Sequence, residues 1–446
     1  MKRRNFIQKA GLTMASGLVL TPAILNAGRS VSQNDKINIG VIGCNGMGWA
    51  NTNSLLKMQD VELIGICDVD RNVINKRLAD YAKLRANKPA TYNDYRELLN
   101  NKDIDAVVIG TPDHWHCKMM VDAVHAGKHV YVEKPVANSI EECNIMMAAQ
   151  EKTKKIVQAG QWQRSGPHYR KAIDIVRSGN LGKIRLVKVW AYQGWMKPVP
   201  VKPDTTPPEG VDYNLWLGPA PKRPFNENRF HFNFRWFWDY AGGLMTDWGV
   251  HEIDIALYAM EALAPVSVTA GGGKLAYPDD ASETPDTLQA MFQYENFNML
   301  WEHATGINIG PYNRSEGIAF IGNNGTLVVD RGGYEVLPEY EAQGYGKSTT
   351  TKMQPIEAYK KPPELNYLDL HTVNFVDAIR KNDQSALNTP IRSASVAAIN
   401  AQMGNIAYRT GTKVYWDAEK GKFKNNAEAD KYITAKYNNG YKLPVA

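Results

Sequence analysis

The chain has 446 residues, 43% of them apolar and 22% charged, which is long enough for two or three domains with substantial cores. Its formal charge of +6 includes Lys2, Arg3, Arg4 and Lys9 in the first ten residues; without those four the remainder carries +2. That balance excludes the basic footprint of a nucleic-acid binder.

Arg3-Arg4-Asn5-Phe6-Ile7 leads into Ala10 to Ala27, a weakly apolar stretch broken by Gly, Ser and Thr and ending in small residues. This pattern reads as a twin-arginine export signal over residues 1–27 and implies a periplasmic protein. The alternative is an ordinary basic N-terminus on a first helix. The stretch is interrupted too often for a stable membrane span, which needs about 20 apolar residues.

From Lys36 onward short apolar strands alternate with amphipathic runs. Strands are expected at Ile37 to Gly43, Val61 to Asp68, Ala106 to Thr111, Val130 to Glu133 and Ile156 to Ala159, with helical runs between them. The alternation predicts an α/β domain over residues 36–160, built on a doubly wound parallel sheet. Residues 161–446 read as a second α/β domain with a large open mixed or antiparallel sheet. Its strands are expected at Ile184 to Tyr192, Val266 to Gly271, Thr287 to Tyr294, Asn298 to His303, Gly317 to Ile321 and Gly325 to Asp330. Pro198 to Pro224 holds eight prolines and reads as an irregular loop at the rim of a cleft. Helices at Leu368 to Lys381 and Ser393 to Arg409 are expected to pack back on the earlier domains. Cys44, Cys67, Cys117 and Cys143 lack CxxC spacing, so they read as packing residues and no metal site is expected.

Three stretches carry chemistry. Gly43-Cys44-Asn45-Gly46-Met47-Gly48 follows the first strand, where glycines let backbone approach a pyrophosphate at a helix N-terminus. Asn45 replaces the usual second glycine, as a residue that tolerates positive φ. Asp68, at the end of the second strand, is placed to accept ribose hydroxyls and to repel a 2′-phosphate, which favours NAD over NADP. A tight turn with an exposed acid is the alternative. Lys134 ends the fourth strand, at the sheet edge where doubly wound folds bind ligands, beside Thr111-Pro112-Asp113-His114-Trp115-His116. There His116 either lines the nicotinamide pocket or simply starts a helix. Finally, a helix beginning near Leu244 would set Asp247 and His251 on one face, as an acid/base pair or as a stabilising i,i+4 pair.

The glycine loop, Asp68, Gly127-Lys128-His129-Val130-Tyr131-Val132-Glu133-Lys134-Pro135 and Gly242-Gly243 through Asp247-x-x-x-His251 together resemble the glucose-fructose oxidoreductase, inositol dehydrogenase and MocA-like family from about Ile37 to Asp330. The resemblance implies a Rossmann domain followed by an α/β domain whose open sheet forms homo-oligomers. Lys134 would orient the reacting hydroxyl, His251 would be the acid/base, and Asp247 would hold a substrate hydroxyl. Gly43, Asn45, Gly46, Met47, Gly48, Asp68, Thr111, Pro112, His116, Glu133, Lys134, Gln161 and Gln163 are the expected cofactor contacts.

Aromatic residues crowd the region after the first domain, and ring faces stack on sugar C–H faces while nearby polar groups hold the hydroxyls. Arg164, His168, Tyr192, Trp195, Arg235, Trp236 and Trp238 are therefore the expected substrate contacts, with roughly half of the region's aromatic rings reserved for packing. Folded export with bound NAD requires the cofactor to be regenerated in place. That points to a sugar or glycoside oxidoreductase acting at a secondary hydroxyl, C3 by preference. Its enzymatic rival is a redox-neutral glycosidase that oxidises, eliminates, hydrates and re-reduces, as relatives in this family do. A non-catalytic sugar-binding protein is the reading from another class.

Overall fold

The computed structural model describes residues 36–346 and 348–446, so the expected export signal at residues 1–27 lies outside the described residues. β1 (Ile37–Ile42), α1 (Gly46–Leu55), β2 (Val61–Cys67), α2 (Arg71–Tyr81), β3 (Ala90–Tyr92), α3 (Tyr95–Asn100), β4 (Ala106–Ile109), α4 (Asp113–His125), β5 (His129–Val132), α5 (Ile140–Thr153) and β6 (Val157–Ala159) alternate without exception. The strands form one parallel sheet in the order β3-β2-β1-β4-β5-β6. β4 is buried along its whole length, as a parallel strand covered on both faces must be. The order reverses between β1 and β4, and the carboxyl ends of these strands open a crevice there.

The second layer system comprises α6 (Pro167–Arg177), β7 (Leu186–Gln193), α7 (Tyr213–Leu217), α8 (Gly243–Asp247), α9 (Gly249–Met260), β8 (Ser267–Gly273), β9 (Thr287–Gln293), β10 (Asn298–Thr305), β11 (Glu316–Ile321), β12 (Gly325–Asp330), β13 (Gly333–Pro338), β14 (Tyr359–Lys360), α10 (Tyr367–Lys381), α11 (Ile391–Thr410), β15 (Val414–Asp417), β16 (Lys422–Phe423) and α12 (Ala427–Asp430). Its ten strands run β14-β13-β12-β11-β7-β10-β9-β8-β15-β16, and only β7 and β10 pair in parallel. Alternation along β7 turns Val187, Val189 and Ala191 into the core shared with α9. Leu186, Lys188 and Tyr192 face the other way, onto an open surface that also carries Gln289 and Met291.

α10 closes the first domain from the far end of the chain. Ser54 Oγ donates to Asp369 Oδ1 at 2.6 Å, Gln158 Nε2 donates to the His371 carbonyl at 2.7 Å, and Phe375 and Val376 are buried with the β1 and β2 side chains. The first domain is thus completed by residues more than 200 positions beyond its sheet.

Candidate active site

Four strand ends supply the crevice. Gly43, after β1, has φ +76°, and a Cβ there would sit 2.8 Å from the Gly110 carbonyl carbon. Gly46 is the loop's second left-handed residue, at φ +46°. Asn45 is extended, with φ −94°, so its tolerance of positive φ is not called on. Its Oδ1 instead accepts from Arg77 Nη2 at 3.2 Å, while Arg77 Nε donates to the Cys44 carbonyl at 2.9 Å. A side chain from α2 therefore braces the loop. The departure from glycine is used as a strut.

Asp68, after β2, accepts the Cys44 amide at 2.9 Å on Oδ2 and the Asp70 amide at 3.1 Å on Oδ1. Burial raises its carboxyl pKa, and these amides pull it back. The carboxylate lines a cleft of about 370 Å³ together with Gly43, Asn45, Gly46, Met47, Thr111, Pro112, Glu133 and Lys134. Over this cleft runs a strap from the segment between β7 and α8. The Arg71 amide donates to the Gly210 carbonyl at 2.9 Å, the Asp212 amide to the Val69 carbonyl at 2.8 Å, and His231 Nε2 lies 3.0 Å from Asp70 Oδ2. Trp216, Phe230, His231 and Phe232 line the cleft from the strap side. The proline-rich loop is thus a cover, pinned to the end of β2 by main-chain bonds.

At the other end of the cleft Lys134 Nζ donates to Asp247 Oδ1 at 2.7 Å and to the Asp247 carbonyl at 2.9 Å, and Arg235 Nε donates to the same Oδ1 at 3.2 Å. Burial alone would raise the Asp247 carboxyl pKa; Lys134 and Arg235 overcome it and hold the group at about 2. Burial, and then Lys134 and Arg331, push the His251 imidazole well below its usual value, so it stands neutral. Asp247 closes α8 and His251 lies in the first turn of α9, with the chain breaking at Trp248. The single helix expected across them is therefore corrected to two, and among the described residues the Asp247 carboxylate takes its side-chain hydrogen bonds from Lys134 and Arg235. Arg331, for which the sequence held no signal, stacks over Trp162 and Trp248 at 4.9 and 4.4 Å, and both rings stand edge-on to His251 at about 6 Å.

Several expected contacts fall elsewhere. His116 sets Nδ1 2.7 Å from the Pro135 carbonyl and Nε2 2.8 Å from the Thr111 carbonyl, clamping two site loops from behind. Gln161 Nε2 donates to the Val250 carbonyl, and Gln163 Nε2 to Tyr169 and Glu252; both glutamines are buried braces onto α9. Of the expected sugar contacts, Arg235 is in the site, and Trp195 meets the strap residue Phe232 edge-on. Arg164 is bound to Asp254 by two 2.7 Å bonds, and His168 Nε2 lies 3.1 Å from the Asp330 carbonyl. Tyr192 bonds Glu302 on the open sheet face, Trp236 is buried in an aromatic cluster, and Trp238 is tied to Glu283 and stacked by Arg409. Of the expected ring contacts, His168 and Trp236 are buried in packing, Tyr192 and Trp238 are half-buried, and Trp195 is exposed.

A parallel sheet with a glycine cradle and a cleft-lining carboxylate at the end of β2, joined to an open-sheet domain that delivers Asp247 and His251 beside Lys134, defines an NAD-binding oxidoreductase fold. Residues 37–161 match the Gfo/Idh/MocA model for the oxidoreductase family's NAD-binding Rossmann fold, and residues 165–327 match the model for its C-terminal alpha/beta domain. The chain belongs to the Gfo/Idh/MocA family. Among its relatives, the alpha-N-acetylgalactosaminidase of Shewanella oneidensis is 34% identical over 202 residues, which cover 41% of this chain and 44% of that protein. The match thus spans less than half of the relative's length. The WlbA dehydrogenase of Bordetella pertussis, solved with NADH and UDP-GlcNAcA, shares the fold at 18% identity and a TM-score of 0.61, over 86% of this chain and 99% of that one. The aldose-aldose oxidoreductase of Caulobacter crescentus, solved with glycerol, does so at 18% and 0.61, over 85% and 100%.

Proposed function

We propose that the protein is an NAD-dependent enzyme that oxidises a secondary hydroxyl of a sugar or glycoside, by preference at C3, and re-reduces its retained cofactor in place. The observation that carries this reading is the junction of Lys134, Asp247 and Arg235 with a neutral His251 at one end of a strapped cleft. The Gly43–Gly48 turn at the start of α1 would hold the pyrophosphate, and Asp68 the adenosine ribose. Bound NAD supplies the acceptor for the hydrogen and electron pair of the substrate C–H bond. Lys134 Nζ fixes the substrate oxygen and stabilises negative charge developing on it, and the unprotonated His251 accepts the hydroxyl proton. Asp247, held ionised, keeps Lys134 and Arg235 aimed at one point. The similarity to an alpha-N-acetylgalactosaminidase favours, as a second reading, the redox-neutral glycosidase that oxidises, eliminates, hydrates and reduces on the same residues. Residues 1–27 would direct folded export to the periplasm, and the open sheet face would join copies of the chain.

The test is a panel of free hexoses and α- and β-glycosides added to purified protein, following reduced nicotinamide by absorbance and product by mass spectrometry. Ketosugar with reduced cofactor supports the oxidoreductase. Hydrolysed glycoside without net reduction supports the glycosidase. Binding without either product would leave only a sugar-binding protein.

Cofactor choice is testable at Asp68. Because the carboxylate also accepts the Cys44 and Asp70 amides, alanine would disturb the loop, and Asp68→Asn is the cleaner change. It is expected to weaken NAD by about 1.5 to 3 kcal/mol, the worth of a hydrogen bond to a charged group, and to narrow the preference over NADP. Titration of stripped protein with both cofactors measures it; an unaltered preference would take Asp68 out of the ribose site.

A further inference from the structure

His251 is pushed far toward its neutral form, so a proton taken from substrate has to be handed on. Asp247 is no terminus for it, since Lys134 and Arg235 hold that carboxylate ionised. Glu133, at the edge of the cleft, accepts Asn51 Nδ2 at 2.7 Å and the Lys134 amide at 3.1 Å, so both its oxygens are engaged. Asp113 differs from both. It is the first residue of α4, 5% exposed, and it lines the cleft with Lys134 and Arg235. Among the described residues no side chain donates a hydrogen bond to its carboxyl group. The two cations that face it, Lys134 and Arg235, give their carboxylate bonds to Asp247, the second carboxylate facing it, and Arg235 Nη1 donates to the Phe232 carbonyl.

We propose that Asp113 is the redox-linked proton acceptor of the site: ionised opposite the oxidised nicotinamide ring, protonated opposite the reduced one. Charge supplies the reason. Lys134, Arg235 and Asp247 sum to one positive charge, and a cationic ring beside them favours the Asp113 carboxylate. A neutral ring withdraws that support. The group is poised for such a switch, because burial, opposed by Arg235 and Lys134 and aided by Asp247, pushes it up to about 8. Lys134 bears on both His251 and Asp113, which puts its charge within reach of the donor and of the acceptor.

The balance is complete. The substrate C–H bond breaks with its electron pair and hydrogen going to the oxidised ring, the O–H bond breaks with its proton ending on Asp113, and a C=O bond forms. Reduction of a ketone in the return step reverses each transfer, so proton and electrons are held together between the two halves. The inference rests on the proposed sugar chemistry for the source of the proton, but Asp113 can be tested without any sugar.

Protein loaded with NAD⁺ is compared with protein loaded with NADH by infrared difference spectroscopy. The expected result is a protonated-carboxyl C=O band that appears only with NADH, vanishes in Asp113→Asn, and returns at a displaced frequency in Asp113→Glu. A dye-monitored single turnover on any sugar found active adds the second readout: the parent forms reduced cofactor without releasing a proton to the medium, and Asp113→Asn releases one per cofactor reduced. An infrared band that does not depend on cofactor state, or that survives in Asp113→Asn, overturns the inference. The band without turnover on any sugar would keep Asp113 and remove the proposed function. Turnover without the band would do the reverse.

Discussion

His251→Ala is expected to lower the proposed single-turnover oxidation of sugar by about 10²- to 10⁴-fold, the usual loss for a positioned proton acceptor, while the protein keeps its cofactor. The imidazole sits beside Trp162, Trp248 and Lys134, apart from the Gly43–Gly48 turn and Asp68, so its removal does not touch the NAD cradle. Lys134→Ala does comparable damage for a different reason. Its ammonium holds Asp247 through both the carboxylate and the carbonyl oxygen, and without it one end of the site loses its main tether as well as the charge that stabilises a developing oxyanion. Lys134→Arg does not rescue, because a planar guanidinium cannot make both of those contacts from the position of a compact ammonium. Single-turnover absorbance of reduced nicotinamide across the active sugars decides the matter: undiminished reduction in His251→Ala would pass the proton-accepting role to another group.

The second large effect lies outside the chemistry. Asp254→Ala is expected to destabilise the protein by about 3 to 5 kcal/mol, the cost of stranding one member of a buried ion pair. Arg164 and Asp254 are 9% and 1% exposed at the side chain and share two 2.7 Å bonds, with the guanidinium lying over Tyr258 at 4.2 Å. Burial raises the Asp254 carboxyl pKa more than Arg164 lowers it, so the pair as a whole adds little net stability. Removing one partner alone exposes the full desolvation cost of the other. The double change Arg164→Met with Asp254→Leu should therefore recover most of the loss. Thermal melts of the cofactor-loaded protein, with sugar turnover measured on the survivors, separate this structural role from the substrate role expected from sequence. A single variant that melts like the parent but has lost its sugar affinity would restore Arg164 to the substrate site.

Much of the fold was readable because buried parallel strands write themselves as unbroken apolar runs, as in Ala106–Ile109 and at Val130 to Val132. β3 escaped because it is three residues at the sheet edge, two of them exposed, and β13 to β16 because short outer strands of mixed composition carry no clear alternation. In the site, Asp68 and Lys134 were legible from their places at strand ends. The break between α8 and α9 was not, since four-residue spacing without proline reads as one continuous helix. Which aromatic residues would pack was not legible for a physical reason: a ring fit to stack on a sugar is equally fit to fill a core, and Trp236 does the latter at 4% exposure. Arg331 had no motif to announce it, because its place above Trp162 and Trp248 arises only when the turn after β12 meets α9.

The strap also sets an order of assembly. The cradle at Gly43 to Gly48 and the carboxylate of Asp68 are made within the first third of the chain, whereas the residues that roof them, Gly210 to Phe232, are synthesised more than a hundred residues later. Until those residues arrive and bond to Val69, Asp70 and Arg71, the crevice stands open to the surrounding solution. A dinucleotide taken up in that interval becomes part of the folding reaction, stabilising each state that already grips it. Yield of well-folded protein should then follow the nucleotide supply of the compartment where synthesis occurs, whatever compartment the finished molecule works in.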